Sequence, residues 1–532
     1  MEKQKYTALT IGPIFDTMEF ATKPGALWVA SYMFSYLTRC LCEEIVSRGI
    51  PKENIITPFY DPDDDLLNKA DGVGLFHDRI IFVHDESIRI DIKGVKAAAL
   101  QKVFTAFGFD EDESAKNFLT EYILIADATF DATDKEGKPV NPIFKAGDIL
   151  DSLELRKTFT HRSQSNPLLH VFVNPAGHGN EEVKKLPAVG NLDNWQLRKK
   201  GNDKQLRSLA DIATGDKYNL ESKTAPKPKK KKYYYYAVVR SDGDNMSRVI
   251  KELGNDTEKI RTFSANCLRY CSEIAKTVYN EFKGVTIYSG GDDLLAVLPC
   301  ETADGKGIFE YIRRANEIFR QYFDDEGTSL SFGISVCYYK FPLYEALSES
   351  ADLLFAVAKS DNHGKNCAAI NFHKHSGQTS GLVIRNGDAL DEILQLCALT
   401  AEKKATDNKC EDKQDILLSI LYKLPLYEHL FRAAGSDAQA IGNIFKNCFD
   451  APAHATVFVQ KTIPAFYQKI DDGSIYIRSL DTGGRLFENE DDDKLTAYRD
   501  PEVKKITHPS VITLGAVLRV IKFFHESAGE KT

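Results

Sequence analysis

Cysteine is scarce: ten in 532 residues, with no CxxC pair among them. Neither a disulfide framework nor a redox dithiol is signalled, which fits a reducing compartment. The closest pairs are Cys40/Cys42 and Cys267/Cys271. The second has helical i, i+4 spacing in an apolar-periodic stretch and reads as buried free thiols. A run of 18 or so apolar residues is absent, which excludes a membrane-spanning helix. Met1–Thr10 lacks the apolar core of a signal peptide, so the expected location is the cytoplasm, away from membranes. A basic excess is also absent. The net charge of -9 argues against a general nucleic-acid binder but leaves room for local basic contacts within a larger assembly. With 43% hydrophobic and 27% charged residues, wholesale disorder is excluded. No internal repeat is evident.

The length suggests about three or four domains. The clearest seam is SKTAPKPKKKK, Ser222–Lys232. Its prolines stiffen it and its lysines repel, so an exposed linker is expected, with Lys229–Lys232 either solvated or touching RNA phosphate. Before it, strands are expected at Tyr6–Gly12, Ile55–Tyr60 and Arg79–His84. Helices are expected at Ala26–Ser47, Lys93–Phe107 and Ala115–Ile125. Residues 132–224 are polar and irregular. After the seam, YYYYAVVR (Tyr233–Arg240) is a strand by its aromatic and β-branched content. A helix at Thr257–Phe282, strands at Val285–Tyr288 and Leu294–Leu298, a helix at Gly307–Phe323 and a strand at Ser329–Tyr338 follow. A further helix (Leu343–Lys359) and strand (Cys367–Phe372) complete a β-α-β-β-α-β order with an added αβ, the split βαβ pattern of ferredoxin-like folds. Beyond Asp388 the chain reads mostly helical, apart from an acidic loop at Glu488–Asp493 and a strand-like alternation at Ser474–Ser479 too short to assign. The expected organisation is a first domain (1–131), an insertion and linker (132–232), a second domain (233–376) and a helical C-terminal domain (377–532).

The chemistry-bearing residues cluster in the second domain. YSGGDDL (Tyr288–Leu294) places Gly290 and Gly291 at a hairpin tip, where the backbone can approach a bulky ligand. Asp292 and Asp293 repel unless cations satisfy them, and hard oxygen ligands suit Mg²⁺ or Mn²⁺ holding a triphosphate. An exposed polar hairpin is the plainer explanation of that motif taken alone. SDGDNM (Ser241–Met246) follows the YYYYAVVR strand. In a ferredoxin-like sheet the first and third strands are neighbours, so Asp242 is expected beside Asp292 and Asp293, as two-metal phosphoryl transfer requires. An Asx-type turn is the alternative. Lys359 and Lys365, in AKSDNHGKN, can neutralise nucleotide phosphates, although lysines at a helix C-terminus also complement its dipole. Trp28 and Tyr32 read as helix core.

The conjunction of strand–DGD, SGGDDLL, SFGISV and AK…GKN resembles the polymerase/cyclase palm of the large subunit of type III CRISPR effector complexes, a palm related to GGDEF diguanylate cyclases. TIGPIFDTMEFATKPGALWVASYMFSYL (Thr10–Leu37) resembles the opening of the first palm in type III-B large subunits. Gly74–Arg79 and LRSLADIA (Leu206–Ala213) echo weaker landmarks. The resemblance runs from Tyr6 to Phe372. It implies an α+β chain with two ferredoxin-like palm (cyclase-type) domains, the first non-catalytic. It also implies departures from the family. The first palm strand begins at Tyr6, leaving no room for the His-Asp nuclease domain of many members. His77-Asp78 and His84-Asp85 flank a strand rather than a nuclease bundle. Residues 132–232 lack cysteine, and His161, His170 and His178 form no ligand pattern, so no zinc is expected. Ile14-Phe15 replaces the usual residue after Gly-Pro.

The resemblance further implies a cytoplasmic antiviral complex with guide RNA, target RNA and a small helical subunit. Target RNA activates the palm to polymerise ATP into a cyclic oligoadenylate. Asp242, Asp292 and Asp293 would hold two divalent ions. Lys359 and Lys365 would stabilise the pyrophosphate, and Ser289 would bond to the base or sugar. Conjugation of AMP to S-adenosylmethionine is the alternative product, since some nuclease-lacking relatives make it. A non-catalytic scaffold and a stand-alone diguanylate cyclase are the readings of other kinds. The intact carboxylates and lysines weigh against the scaffold. The LWVASY segment, the double palm and the absence of GGDEF weigh against the cyclase.

Overall fold

β1 (Gln4–Gly12) buries every residue from Tyr6 to Ile11, as a strand covered on both faces must. The computed structural model describes residues 4–18, 21–64, 72–155, 195–199, 206–324, 327–401, 413–449, 458–480 and 508–527. His161, His170, His178 and the acidic stretch Glu488–Asp493 lie outside the described residues. β1 pairs antiparallel with β3 (Arg79–Asp85) and β4 (Leu124–Phe130), and β2 (Ile55–Thr57) pairs with β3. The order β2-β3-β1-β4 is that of a ferredoxin-like sheet. β4 was not anticipated. The helix expected to run to Ile125 stops at Tyr122, and Leu124 begins the edge strand. Its sequence, LIADATF, carries little β signal, and pairing with β1 decides its state.

The helix Pro24–Ser47 starts with proline in its first turn and ends before Gly49, whose φ of +93° only glycine adopts cheaply. Trp28 is fully buried in it, and Tyr32 stacks on Trp28 with centroids 4.6 Å apart. Both are core, as expected. This helix is buried around most of its circumference because it serves two sheets. One side covers the first sheet. Another meets Tyr236, Val238, Ile287, Leu295 and Val297 of the second, in a single shared core. The opposite face of the first sheet is covered by the helix Pro142–Glu154 through Ala146 and Leu150.

The second sheet holds seven strands in the order β11-β10-β9-β8-β5-β7-β6. β5 (Tyr235–Asp244), β6 (Val285–Gly290), β7 (Asp293–Pro299) and β8 (Ser329–Tyr338) form its ferredoxin-like part, all antiparallel. β9 (Cys367–His373) runs parallel to β8 after the helix Leu343–Asp352 and a π-helical turn, Leu353–Ala358. The sheet then continues past residue 376. β10 (Thr379–Arg385) pairs with β9, and β11 (Ile477–Ser479), the short alternation, pairs with β10. The C-terminal helix Pro509–His525 packs Phe523 and Phe524 against Tyr235, Phe309 and Phe372, so the described C-terminal helices share the core of this sheet.

The lysine seam is not a free linker. Lys227 donates to the carbonyls of Asn219, Leu220 and Ser222, and Lys230 donates to that of His525. Lys231 pairs with Glu526 and Lys232 with Glu301. These four ammonium groups each meet an oxygen, which lessens the mutual repulsion that the run suggested, while Lys223 and Lys229 are exposed. Among the described residues, no helix is long and apolar enough to cross a membrane.

Candidate active site

The β5–β7 ladder closes on the pair Ser241–Leu294. Beyond that rung, Asp242–Asp244 of β5 lies beside the β6–β7 hairpin tip, where Gly290 faces Asp293 across the turn. Gly291 takes φ +72°, the left-handed conformation that this tight turn needs. The Cys271 thiol donates to the Gly291 carbonyl at 3.3 Å, so one of the two expected buried thiols props the tip from below. Gly243 is equally constrained. A Cβ there would lie 2.6 Å from the Asp292 carboxylate, so only glycine lets Asp292 reach the β5 backbone.

The carboxylates fall into two linked pairs. Asp292 and Asp293 are half-buried, and desolvation at the foot of the tip pushes both carboxyls well above the usual range. At Asp292 the neighbouring charges of Asp293 and Asp244 add to it. The Arg240 guanidinium partly offsets the shift at Asp293. Asp242 and Asp244 share Lys359. Its ammonium pairs with Asp242, sits 3.6 Å from Asp244 and donates to the Gly243 carbonyl at 2.9 Å. Asp244 is wholly buried and accepts from Ser329 (2.7 Å), Ser331 (2.8 Å) and the Asn366 backbone N–H (3.0 Å). Lys365 reaches over to Asn245 at 3.0 Å.

Asp242, Asp292, Asp293, Lys359 and Lys365 therefore gather at one sheet end. Ser289 stands apart. It is fully buried, and its backbone N–H donates to the Gly74 carbonyl of the first domain at 3.0 Å. That position joins the two domains rather than meeting a base or sugar. Sequence reasoning missed Gly243 and Asp244, both inside the DGD motif that named Asp242. The alternation of a strand puts residues i and i+2 on one face, a signal that pointed to Asp244 with Asp242. It also missed Asp78, Arg79 and Arg240. No local pattern marks them, because the first domain brings two of them to the site.

Two cavities adjoin the tip. One of about 270 Å³ is lined by Phe59, His77, Phe263 and Asp292. The other, of about 290 Å³, is lined by Phe15, Arg240, Leu354 and Phe355. Asp78, Arg79, Tyr288 and Asp293 belong to both. His77 stands in the first-domain wall with its ring bonded to Thr57 at 2.9 Å, and burial pushes its pKa down to about 4. The carboxylate oxygens of Asp242, Asp292 and Asp293 are hard donors that fit Mg²⁺ or Mn²⁺, and a divalent cation would offset the desolvation that holds Asp292 and Asp293 above their ordinary range.

The family model for Cas10/Cmr2, second palm domain, matches residues 235–369. The model for the CRISPR-associated protein Cmr2, N-terminal, matches residues 6–110. Residues 6–110 and 235–369 are thus similar to the N-terminal and second palm domains of Cas10/Cmr2, the large subunit of type III-B CRISPR complexes. The Cmr subunit Cmr2 of Pyrococcus furiosus is 38% identical over 109 residues, which is 20% of this chain and 12% of that protein. Among solved structures, the apo state of a type III-B Cmr-beta complex aligns over 97% of this chain and 81% of its own, with a TM-score of 0.52 and 13% identity. The apo Csm1–Csm4 cassette aligns over 98% and 70%, with a TM-score of 0.51 and 12% identity. The same cassette in complex with cA4 gives 0.50 at 13% identity over 98% and 70%. At such identity these likenesses show the Cas10/Cmr2 fold. The mixed α+β architecture with palm domains is that fold.

Proposed function

We propose that this chain is the target-RNA-activated nucleotidyltransferase of a type III antiviral complex, making an AMP-based second messenger, cyclic oligoadenylate, from ATP. One observation carries the reading: Asp292 and Asp293 line cavities walled by both palm domains, with Asp242 and Asp244 on the adjoining end of β5 around Lys359. A hairpin serving only as a surface turn has no reason to hold two adjacent acids half-buried and desolvated between two domains. The reaction is attack of an acceptor hydroxyl on the α-phosphorus of ATP, with pyrophosphate leaving and the hydroxyl proton passing to solvent. Two divalent ions, when bound by Asp242, Asp292 and Asp293, would supply charge neutralisation for the attacking and leaving oxygens. The chain's own part is positioning. Gly290 and Gly291 leave the tip open to a nucleotide, and Asp244 anchors the strand end on Ser329 and Ser331. Lys359 holds Asp242 and, with Lys365, supplies positive charge beside the polyphosphate. A guide RNA, a target RNA and a small helical subunit are the proposed partners.

A second reading has its own observation. Both cavities present the carboxylates of Asp78 and Asp293 together, and burial pushes Asp78 upward. A cationic acceptor would stabilise two half-buried acids where a second ATP would not, so conjugation of AMP to S-adenosylmethionine suits this wall. The test is mass spectrometry of the assembled complex given target RNA, Mg²⁺ or Mn²⁺ and ATP, with and without S-adenosylmethionine. Cyclic oligoadenylate in both samples supports the first reading. An AMP adduct that requires S-adenosylmethionine supports the second, and no product in either leaves a scaffold. Asp292→Ala with Asp293→Ala is expected to abolish product while assembly persists, and unchanged ATP consumption would refute the assigned site.

A further inference from the structure

At the far end of β8 from the DGD motif, a second donor cluster lies outside everything used above. β8 and β9 run parallel with Cys337 paired in register with His373, and Ser335 with Asn371 one pleat earlier. Side chains at these four positions share one face of the sheet. Glu349, from the helix Leu343–Asp352, roofs that face. Its carboxylate meets His373 Nε2 at 2.6 Å and accepts from Asn371 Nδ2 at 2.6 Å and from the Ser335 hydroxyl. The Ser335 hydroxyl also lies 3.2 Å from Cys337 Sγ. Sulfur, imidazole nitrogen and carboxylate oxygen all fall within 4.8 Å of one another, the only such trio of potential ligands found among the described residues.

We propose that Cys337, Glu349 and His373 form a transition-metal site for Zn²⁺, distinct from the carboxylate centre. The donor set decides the metal. One thiolate, one imidazole and one carboxylate suit a borderline-soft ion at about 2.0–2.3 Å, whereas Mg²⁺ takes oxygen donors almost alone. Tetrahedral placement needs ligand atoms roughly 3–4 Å apart, which side-chain adjustments of about 1 Å reach from the present spacing. The supporting residues are those a metal site requires. Ser335 and Asn371 fix the carboxylate, and Phe341 stacks on the His373 ring with centroids 5.1 Å apart. Cys337 is wholly buried, while His373 and Glu349 keep about a fifth to a quarter of their side-chain surface. The ion therefore enters past the imidazole and carboxylate, and the Cys337 proton leaves to solvent as the sulfur ligates. Three protein ligands leave a fourth position for water. The expectation of no zinc rested on residues 132–232, and this site lies elsewhere.

The site would clamp the helix Leu343–Asp352 to β8 and β9. That helix leads through the π-helical turn to Lys359. The test uses the full-length chain purified from zinc-supplemented medium, with metal content measured after gel filtration. About one zinc per chain is expected. Cys337→Ser and His373→Ala should each lose it, while Asp292→Ala with Asp293→Ala should keep it. Co²⁺ loaded in place of zinc should give a thiolate charge-transfer band in the native chain and none in Cys337→Ser. Chelation should lower the melting midpoint of the native chain and leave that of Cys337→Ser unchanged, a comparison that holds even if the variant is less stable. A metal-free native chain with no cobalt band, or zinc retained undiminished in both variants, would overturn the proposal.

Discussion

Gly243→Ala is the sharpest probe of the site, because it adds one methyl group and removes no charge. The new Cβ would stand 2.6 Å from Asp292 Oδ2, 3.0 Å from Asp292 Cβ and 2.6 Å from Met246 Cγ. Met246 is flexible and can swing aside. Asp292 is on a tight hairpin whose tip is held by Cys271 below and Gly290 behind, so its carboxylate must retreat as a unit. Restoring ordinary contact takes roughly 1 Å, the scale of misplacement at which catalysis falls about 10²-fold, or about 2.7 kcal/mol of activation free energy. The assay is initial-rate formation of oligoadenylate or AMP adduct by the assembled complex at saturating ATP and Mg²⁺, beside a filter-binding measurement of target RNA. The rate should fall about a hundredfold, RNA binding should stay within twofold, and excess Mn²⁺ should recover only part of the loss. Gly291→Ala is the companion. Its Cβ meets nothing within 4 Å, so its cost is confined to the left-handed backbone, about 1 kcal/mol. Native rates in Gly243→Ala would refute the claim that close approach of Asp292 to β5 builds the site.

Removing the buried carboxylate in Asp244→Ala strands the Ser329 and Ser331 hydroxyls and the Asn366 N–H, and should cost about 3–5 kcal/mol. Urea denaturation checks this, and a loss under 1 kcal/mol would contradict the anchoring role. His77 accepts the Arg79 backbone N–H at Nδ1 (3.3 Å), leaving Nε2–H to donate to Thr57, so the ring is neutral in the fold. Its folded pKa of about 4 lies below the unfolded value of about 6.5, so the unfolded chain binds the extra proton between those pH values. Native stability should therefore decline as pH falls from 6.5 towards 4, by up to about 3 kcal/mol from this group. His77→Gln should flatten that part of the profile, measured by denaturant midpoints at stepped pH, and an unaltered profile would count against a buried neutral His77.

The palm pattern was legible because it is local. YYYYAVVR and SLSFGISVCY carry the aromatic and β-branched density of central strands; the second forms where expected, and the first begins two residues late, at Tyr235, and runs on through Asp244. The GGDD turn was legible for the same reason, since left-handed backbone and adjacent acids leave a short-range mark. β4 was not, because LIADATF becomes a strand by pairing with β1, far from it in the chain and close in space. β10 was also missed, although TSGLVIR pairs with β9 across a short local hairpin. Lys230–Lys232 misled in the opposite way, since a charge run looks solvated until Glu301, Glu526 and the His525 carbonyl are brought to it, whereas Lys229 is exposed as expected.

The sequence by itself determined the split βαβ order, the hairpin carboxylates and the strand end that faces them, since each depends on neighbours within one hairpin or one crossover. Only the tertiary structure decided which further groups share the site. Asp78 and Arg79 come from a strand end more than a hundred and fifty residues before Arg240, and Ser289 turned from a candidate ligand contact into a bridge to Gly74. The Cys337–Glu349–His373 cluster likewise exists only because a parallel crossover sets β9 in register with β8 and lays a helix over both. Spacing along a chain encodes what a strand or turn can offer. Packing between sheets determines which offers meet, because burial and charge act through space and not along the backbone.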